Sequence, residues 1–373
     1  LPVMADDAAG KVYYLNFKPE QDEAWQNLAA KYTEETGVPV TVVTAASGTY
    51  ESTLKSEMAK SEVPTLFQVN GPVGLANWKD YCYDLKDAEI TKHLTSDAFA
   101  LKEDDKVYGV AYVIETYGLI YNKTILEGYC GMDGAVVSSV DEINNFDNIN
   151  KELGTDLTEA FASAGLDDGS SWRFAGHLAN MPLYYEFKDD GCDLTAGEES
   201  IKGTYLDNFK NVWDMYVSDS AADPKTLNSG ALNAESEFGM GEAVFYQNGD
   251  WEFAPLTDEE NGYVVTADDL SMMPIYFGVD DENEGLCVGT ENYWAVNAKA
   301  SQEDIDATLE FLNWVITSDE GRDAITNQMG LTAPYDTFTG DYETKNAFAQ
   351  AANKLMTDGK TSVAWSFNAT PNV

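Results

Sequence analysis

The 373-residue sequence predicts an α/β fold of two lobes, with mostly parallel sheets flanked by helices. The chain is longer than one hydrophobic core usually supports, because single cores stop growing near about 250–300 residues. Strand-like and helix-like apolar runs alternate near the N-terminus, and the same alternation returns in the middle of the chain. No Gly/Ser-rich linker separates two halves, so we expect the lobes to share several crossing segments.

The N-terminal segment has the order β-α-β-α-β. Residues 12–17 form the first apolar strand run, and a helix with one apolar face follows until Gly37 ends it. The β-branched run at residues 38–44 predicts the second strand, and residues 65–69 predict the third, with a helix between them. Alternation of this kind predicts parallel strands.

Parallel strands place their following loops at one edge of the sheet, where ligands bind in such folds. The candidate loops are residues 18–20, 48–50 and 70–72.

Later segments repeat the α/β style. Residues 206–216 predict a helix and residues 243–246 a strand, which indicates a second lobe. Residues 293–297 predict another strand, followed by a helix with apolar positions from 305 to 316. Ser318 is then expected to cap a further helix that runs through residue 328.

The charge balance excludes several classes of partner. The chain has 22 Lys and Arg against 65 Asp and Glu, a formal charge of -43, which repels nucleic acid and anionic lipid surfaces. No run approaches the roughly 18 apolar residues that span a bilayer. Residues 1–10 are small, polar and acidic, the composition of a tether left after a targeting segment has been removed.

The residues that carry chemistry are few. The two histidines are His93 and His177; the sequence has no nucleophile elbow, zinc-protease or dinucleotide motif, and we interpret His177 as a structural group. The four cysteines contain no C-x-x-C pair. Residues 280–291 match the spacing of a calcium loop, but a strand rather than a helix is predicted upstream. We therefore predict no catalytic residue, no metal and no cofactor.

Aromatic residues point more directly to a binding site. The segment from Asn248 to Trp251 places a tryptophan beside Asp250 in a loop-like setting. A pyranose ring has an apolar face and a rim of hydroxyls, so its site needs a flat aromatic surface with carboxylate or amide groups at the edge. The alternative for Trp251 is a core anchor behind the preceding strand.

Three segments, in order, resemble extracellular solute-binding proteins of ABC importers, in the carbohydrate branch that includes the maltose-binding protein. They are YGVAYVIETYGLIYNK at residues 108–123, GEAVFYQNGDW at 241–251 and TSDEG at 317–321. The resemblance covers residues 11–335. Asp250 replaces the proline that is common before the loop tryptophan in that family.

The resemblance implies a periplasmic-binding-protein-like fold with the ligand in a cleft between the lobes, which close on binding. It places the lobes at 1–114 and 290–327 for the first, and 115–289 and 328–373 for the second. Glu115 and Trp251 match family positions that touch sugar. The other candidate ligand residues lie in the corresponding loops: Lys18, Glu20, Tyr50, Asn70, Gly71, Trp172, Arg173, Asp250, Glu291, Asn292 and Tyr293.

The function this implies is that of a non-enzymatic, monomeric receptor for a soluble oligosaccharide, which it delivers to the transmembrane subunits of an ABC importer. We expect a lipoprotein at the surface of a Gram-positive cell. Two alternatives stay open on the sequence: a glycoside-active enzyme or carbohydrate-binding module of another fold, and a surface adhesin without a small ligand.

Overall fold

A computed structural model describes residues 10–129, 146–167, 169–230, 232–290 and 292–369. Over these residues the chain divides into two compact units. The first unit is drawn from Leu1–Ile114 and Thr290–Lys345, and the second from Glu115–Gly289 and Asn346–Val373. The chain therefore passes between the units three times.

The first segment alternates strands and helices as the periodicity predicts. Its elements are β1 (Val12–Asn16), α1 (Asp22–Thr36), β2 (Val40–Thr44), α2 (Tyr50–Met58), β3 (Leu66–Val69), α3 (Gly71–Trp78), α4 (Glu89–Lys92), β4 (Ala100–Glu103) and β5 (Lys106–Ala111). The apolar face of α1 is buried, and Gly37 ends that helix in the left-handed conformation, φ 77°, which glycine adopts without steric cost.

The second segment forms most of the other unit. Its elements are β6 (Glu115–Asn122), α5 (Lys123–Tyr129), α6 (Phe146–Leu153), β7 (Glu159–Phe161), α7 (Ala179–Asp190), α8 (Leu206–Ser218), α9 (Ala234–Gly239), β8 (Ala243–Gly249), α10 (Phe253–Thr257), β9 (Leu270–Met273) and β10 (Glu284–Gly289). A π-helical turn, Arg173–Leu178, leads into α7.

The last two segments complete one unit each. They contain β11 (Tyr293–Val296), α11 (Gln302–Thr317), α12 (Asp319–Asp323), α13 (Ala347–Thr357) and β12 (Thr361–Val363). The Ser318 side chain accepts a hydrogen bond from Gly321 N at 3.0 Å, so the predicted cap is confirmed. The helix after it continues as a π-helical turn through Gln328.

Each unit has a six-stranded sheet. The first has the order β2-β1-β3-β11-β5-β4; the second has β12-β10-β6-β8-β7, with β9 also paired to β6. The two-lobe α/β prediction is confirmed, but the sheets are mixed: of the ten described pairings, four are parallel and six antiparallel. The crossing strands β6 and β11 enter their sheets antiparallel to neighbours, which alternation along the sequence could not show.

The third passage lies later than the resemblance implied. Residues 328–345 pack with the first unit rather than the second, and the chain leaves that unit after Lys345. Isolated bridges join Thr332 to Ile114 and Tyr335 to Leu94, and the Tyr335 hydroxyl donates to Ala111 O at 2.7 Å. These contacts tie the segment to β5 and its surroundings. Among the described helices, none is long and apolar enough to cross a bilayer.

Candidate functional site

The candidate residues of the first unit lie at the carboxyl edge of its parallel strands. Asn16 and Thr44 are paired at the ends of β1 and β2, and Tyr293 at the start of β11 pairs with Val69 at the end of β3. The loops after β1, β2 and β3 therefore leave the sheet at one edge. This register brings together the segments that contain Lys18, Glu20, Tyr50, Asn70, Gly71, Asn292 and Tyr293.

Their side chains do not all face solvent. Glu20 and Asn70 are exposed and Lys18 is half-buried, but Asn292 and Tyr293 are buried. The Tyr50 hydroxyl donates to Leu15 O at 2.9 Å and accepts from Gln68 N at 2.8 Å. Tyr50 therefore ties β1 to β3, a structural role that its position in a loop did not reveal.

Gly71 begins α3 with φ 64°, a conformation that favours glycine. Glu291, predicted for the same edge, lies outside the described residues.

In the second unit, Trp251 is held at the end of β8 by a short turn, Asp250–Glu252. Its side chain is 37% exposed, so the alternative of a core anchor does not apply. An added Cβ at Gly249 would lie 2.2–2.5 Å from three atoms of the Trp251 indole. Only a glycine at position 249 lets the ring lie this close to the backbone.

The π-helical turn supplies the second exposed tryptophan. Trp172 immediately precedes it and is 39% exposed, with its indole N–H donating to Gly169 O at 3.0 Å. The ring centroids of Trp172 and Trp251 are 6.1 Å apart and their planes are inclined by 53°. We call these two rings, together with the buried rings of His177 and Tyr117, the aromatic cluster. Short π-helical turns, such as the one that follows Trp172, are frequent at functional sites.

His177 supports the cluster. Its ring stacks on Tyr117 with centroids 3.8 Å apart, and its Nδ1 lies 2.8 Å from Gln247 Nε2. Burial lowers the pKa of His177 to about 3, although the contact with Gln247 works in the opposite direction. The imidazole is therefore neutral at physiological pH. The interpretation of His177 as a structural group fits this geometry.

Asp250, predicted to bind the ligand beside Trp251, makes structural contacts that the sequence did not show. It is buried, and its carboxylate accepts a hydrogen bond from Thr116 N at 3.2 Å, near the start of β6. Asn346 Nδ2 donates to Asp250 O at 2.8 Å. Asp250 therefore fixes the tryptophan turn to two distant parts of the chain. Glu115 begins β6 opposite Gly289 and is half-buried.

A pocket adjoins the aromatic cluster. Its empty volume, including the part open to solvent, is about 320 Å³, and it is lined by Ser163, Arg173, Tyr216 and Gln247 among others. The Tyr216 hydroxyl and Gln247 Oε1 are buried without a hydrogen-bond partner. Buried polar atoms are rarely left unpaired, so these atoms are available to a ligand or water. Sequence reasoning missed Tyr216 and Gln247, because neither belongs to a loop that the strand pattern singles out.

Two carboxyl pairs flank α9. Burial, and then a hydrogen bond that the protonated Glu252 donates to the Glu235 carboxylate, raise the pKa of Glu252 to about 8. Burial also raises the pKa of Glu159 to about 8, with Glu237 adding to the effect. Because Glu235 and Glu237 both lie on α9, each pair shares a proton across one side of this helix.

Metal-ligand groupings are weak. In the 280–291 segment, Asp281 Oδ1 accepts from Gly278 N at 2.9 Å, and Asp280 Oδ1 accepts from Asn283 Nδ2 at 2.7 Å, so these carboxylates stabilise a turn between two strands. Elsewhere among the described residues, one acidic trio has suitable spacing: Glu186, Asp190 and Glu198. Two of these carboxylates already accept hydrogen bonds from Lys202: its backbone N–H donates to Glu186, and its Nζ donates to Asp190 at 2.6 Å.

Two α/β units joined by three passages, one of them carrying the exposed rings of Trp172 and Trp251, are the features of a two-lobed binding protein. Residues 27–357 match the family model described as bacterial extracellular solute-binding protein. The chain therefore belongs to that family. The comparison with curated proteins found no match.

Solved structures share the fold at low sequence identity. RafE from Streptococcus pneumoniae in its apo form aligns with TM-score 0.69 and 15% identity, over 98% of this chain and 90% of that one. A family 1 extracellular solute-binding protein from Bifidobacterium longum subsp. infantis gives 0.64 and 18%, over 97% and 91%. RafE in complex with raffinose gives 0.61 and 15%, over 96% and 90%.

Proposed function

We propose that this chain binds a soluble oligosaccharide in a cleft between its two lobes and delivers it to the transmembrane subunits of an ABC importer. The observation that carries the proposal is the exposed pair Trp172 and Trp251 beside Arg173 and Gln247. Aromatic faces match the C–H face of a pyranose, while amide and guanidinium groups match its hydroxyls. The raffinose bound by RafE, a protein of the same fold, supports a saccharide as the ligand.

A binding role is favoured over glycoside hydrolysis by the carboxyl groups near the site. A glycosidase needs two carboxyl groups about 5–9.5 Å apart, on either side of the scissile bond. Glu252 and Glu235 are hydrogen-bonded to each other, as are Glu159 and Glu237, which leaves no space for a glycosidic linkage between them. His177, neutral and buried, is not placed to transfer a proton to a ligand.

The cellular setting belongs to the same proposal. Extracellular solute-binding proteins of Gram-positive cells need an anchor, since no outer membrane retains them, and a lipid tether fits this need. The net charge of -43 keeps the protein away from anionic surfaces and favours a monomer in solution.

A thermal-shift screen across plant and starch oligosaccharides tests the binding proposal. A ligand that binds only the folded state stabilises it by about 2.7 kcal/mol at a concentration 100 times its dissociation constant. We expect at least one saccharide to raise the melting temperature and to be recovered intact by chromatography. Recovery of cleaved products would identify an enzyme, and the absence of any shift, together with tight binding to a protein partner, would favour an adhesin.

A further inference from the structure

The chain has only two arginines, Arg173 and Arg322, and they differ in how their guanidinium groups are used. Arg322 donates to Ser318 O at 3.2 Å and to Thr337 O at 2.9 Å, and pairs with Asp319 at 3.1 Å. The guanidinium of Arg173 forms no hydrogen bond or ion pair with any described residue. In a chain with 65 acidic residues, an arginine whose guanidinium forms no ion pair with a described residue is unexpected.

Aromatic rings hold Arg173 in place without using its hydrogen-bond donors. Its guanidinium carbon lies 6.0 Å from the ring centroid of Trp172 and 5.5 Å from that of Tyr246. Contacts with rings of this kind orient the planar group, while its five N–H donors remain available to acceptors. Arg173 also lines the pocket and is half-buried, so water satisfies these donors less well than at an open surface.

The pocket offers further partners for a ligand. The unpartnered Tyr216 hydroxyl can donate a hydrogen bond. The Gln247 amide contacts His177, whose tautomer decides whether Gln247 presents its oxygen or its nitrogen to the pocket. The pocket lining thus combines the donors of Arg173 and Tyr216 with the Gln247 amide, which can act as a donor or an acceptor.

Asp167 and Glu252 both lie close enough to Arg173 for its charge to lower the pKa of their carboxyl groups. Glu252 is the one whose pKa is nevertheless raised. It faces Arg173, Glu235, Tyr246 and Tyr263, yet no ion pair with Arg173 forms. Because burial raises its pKa to about 8, Glu252 is mostly protonated at neutral pH, so of these two carboxyl groups only Asp167, which forms no ion pair with Arg173, opposes the guanidinium charge.

We propose that the saccharide bound at the aromatic cluster carries a carboxylate, as a uronic acid does, and that Arg173 binds it through two N–H groups. This inference rests on the proposed function and narrows its ligand class. Two N–H groups of the planar guanidinium can bind the two oxygens of one carboxylate. A neutral hydroxyl accepts well from only one of these N–H groups. An ion pair between Arg173 and the ligand carboxylate also offsets the repulsion that a chain of charge -43 exerts on an anionic ligand.

Matched ligand pairs test the proposal by calorimetric titration. Oligogalacturonides, glucuronate-substituted xylo-oligosaccharides and sialyllactose are each compared with their carboxyl-reduced derivatives, which have the same linkages but no charge. We expect at least one acidic member to bind about 10- to 100-fold more tightly than its reduced partner, the range of a charge-assisted hydrogen bond. This preference should decrease as salt concentration rises.

Variants assign the preference to Arg173. Arg173→Gln should remove the acidic preference: the acidic member should lose about 10- to 100-fold in affinity, and the reduced partner, which uses single hydrogen bonds to this side chain, should lose clearly less. Arg173→Lys should keep only part of the preference. Lys188→Gln is the control, because Lys188 also lies over a ring, 5.7 Å from Tyr184, but does not line the pocket. Melting temperatures of the variants check that they fold.

Two results would overturn the inference while leaving the proposed function intact: tight binding of neutral saccharides with no acidic preference, or an equal loss of both ligand types in Arg173→Gln. Failure of every acidic and neutral saccharide to bind would overturn the proposed function, and the inference with it.

Discussion

At the scale of single residues, Trp251 is the most direct test of the site. Trp251→Ala should lower saccharide affinity by about 2–4 kcal/mol, or roughly 30- to 1000-fold, because the exposed ring supplies the stacking surface. Its melting temperature should change little. Trp294, fully buried in the other unit, is the matched control: Trp294→Ala should cost about 3–5 kcal/mol of stability. A Trp251→Ala protein that melts far below the parent but binds normally would refute the stacking role.

Gly249 gives an independent test of the position of the same ring. Its backbone, φ −114° and ψ 177°, accommodates alanine, but the added Cβ would overlap the Trp251 indole. Gly249→Ala should therefore displace the ring and weaken binding, and should add little to the loss already caused by Trp251→Ala. A double-mutant cycle measured by titration would show this coupling. Additive losses would mean that the ring does not depend on Gly249.

The sequence singled out Trp251 because a tryptophan beside polar residues after a predicted strand can be recognised from its neighbours alone, whereas the close approach of Gly249 to the indole could not be read from the sequence. It did not show the structural contacts of Asp250 and Tyr50, whose partners are distant in sequence: Thr116 lies 134 residues from Asp250, and Leu15 lies 35 residues from Tyr50. Their predicted contacts with a ligand stay predictions. No local pattern shows which carboxylate or hydroxyl will meet such a backbone group.

At the scale of elements, the two carboxyl pairs beside α9 make the stability of the protein depend on pH. Glu159 and Glu252 each have a pKa of about 8 in the folded protein, above the ordinary glutamate value of 4.5. Between these values the folded state holds protons that the unfolded state releases, so their contribution to the free energy of unfolding falls as pH rises. This contribution is complete below pH 4.5 and is lost as the pH passes through about 8.

Denaturant unfolding at pH 4.5 and at pH 8.5 checks this expectation. Glu159→Gln and Glu252→Gln should be more stable than the parent at the higher pH, because each amide stays neutral and can still donate to its partner. The differences should nearly vanish at the lower pH. Glu343→Gln, at an exposed position, is the control and should match the parent at both values. The account would be contradicted if the parent were more stable at pH 8.5 than at pH 4.5 and neither substitution changed its stability.

The element order itself was largely readable from the sequence. β1, α1, β2 and β3 lie where their periodicity placed them, because each buries one face or both faces against a single neighbouring layer. The strand directions in the sheets were not readable. The antiparallel entry of β6 and β11, and the bridges that hold residues 332 and 335 on the first unit, depend on pairings between segments far apart in the chain.

At the scale of the whole molecule, the candidate residues divide between the units. Lys18, Glu20 and Asn70 belong to the first unit, whereas Trp172 and Trp251 belong to the second. A ligand that contacts both groups gains affinity only when the units approach each other, so binding should favour a closed arrangement. We therefore expect a saturating saccharide, found by the screen above, to reduce the radius of gyration.

Small-angle scattering on the parent and on Trp251→Ala measures this change. At a ligand concentration that saturates the parent but not the variant, only the parent should become more compact; a saccharide that does not bind should change neither. An unchanged radius of gyration at confirmed saturation would contradict closure. It would mean that the ligand binds the open and closed arrangements equally well, since a ligand shifts such an equilibrium only by its difference in affinity between the two states. The binding site would then lie within the second unit, where the aromatic cluster, Arg173 and the pocket already lie together.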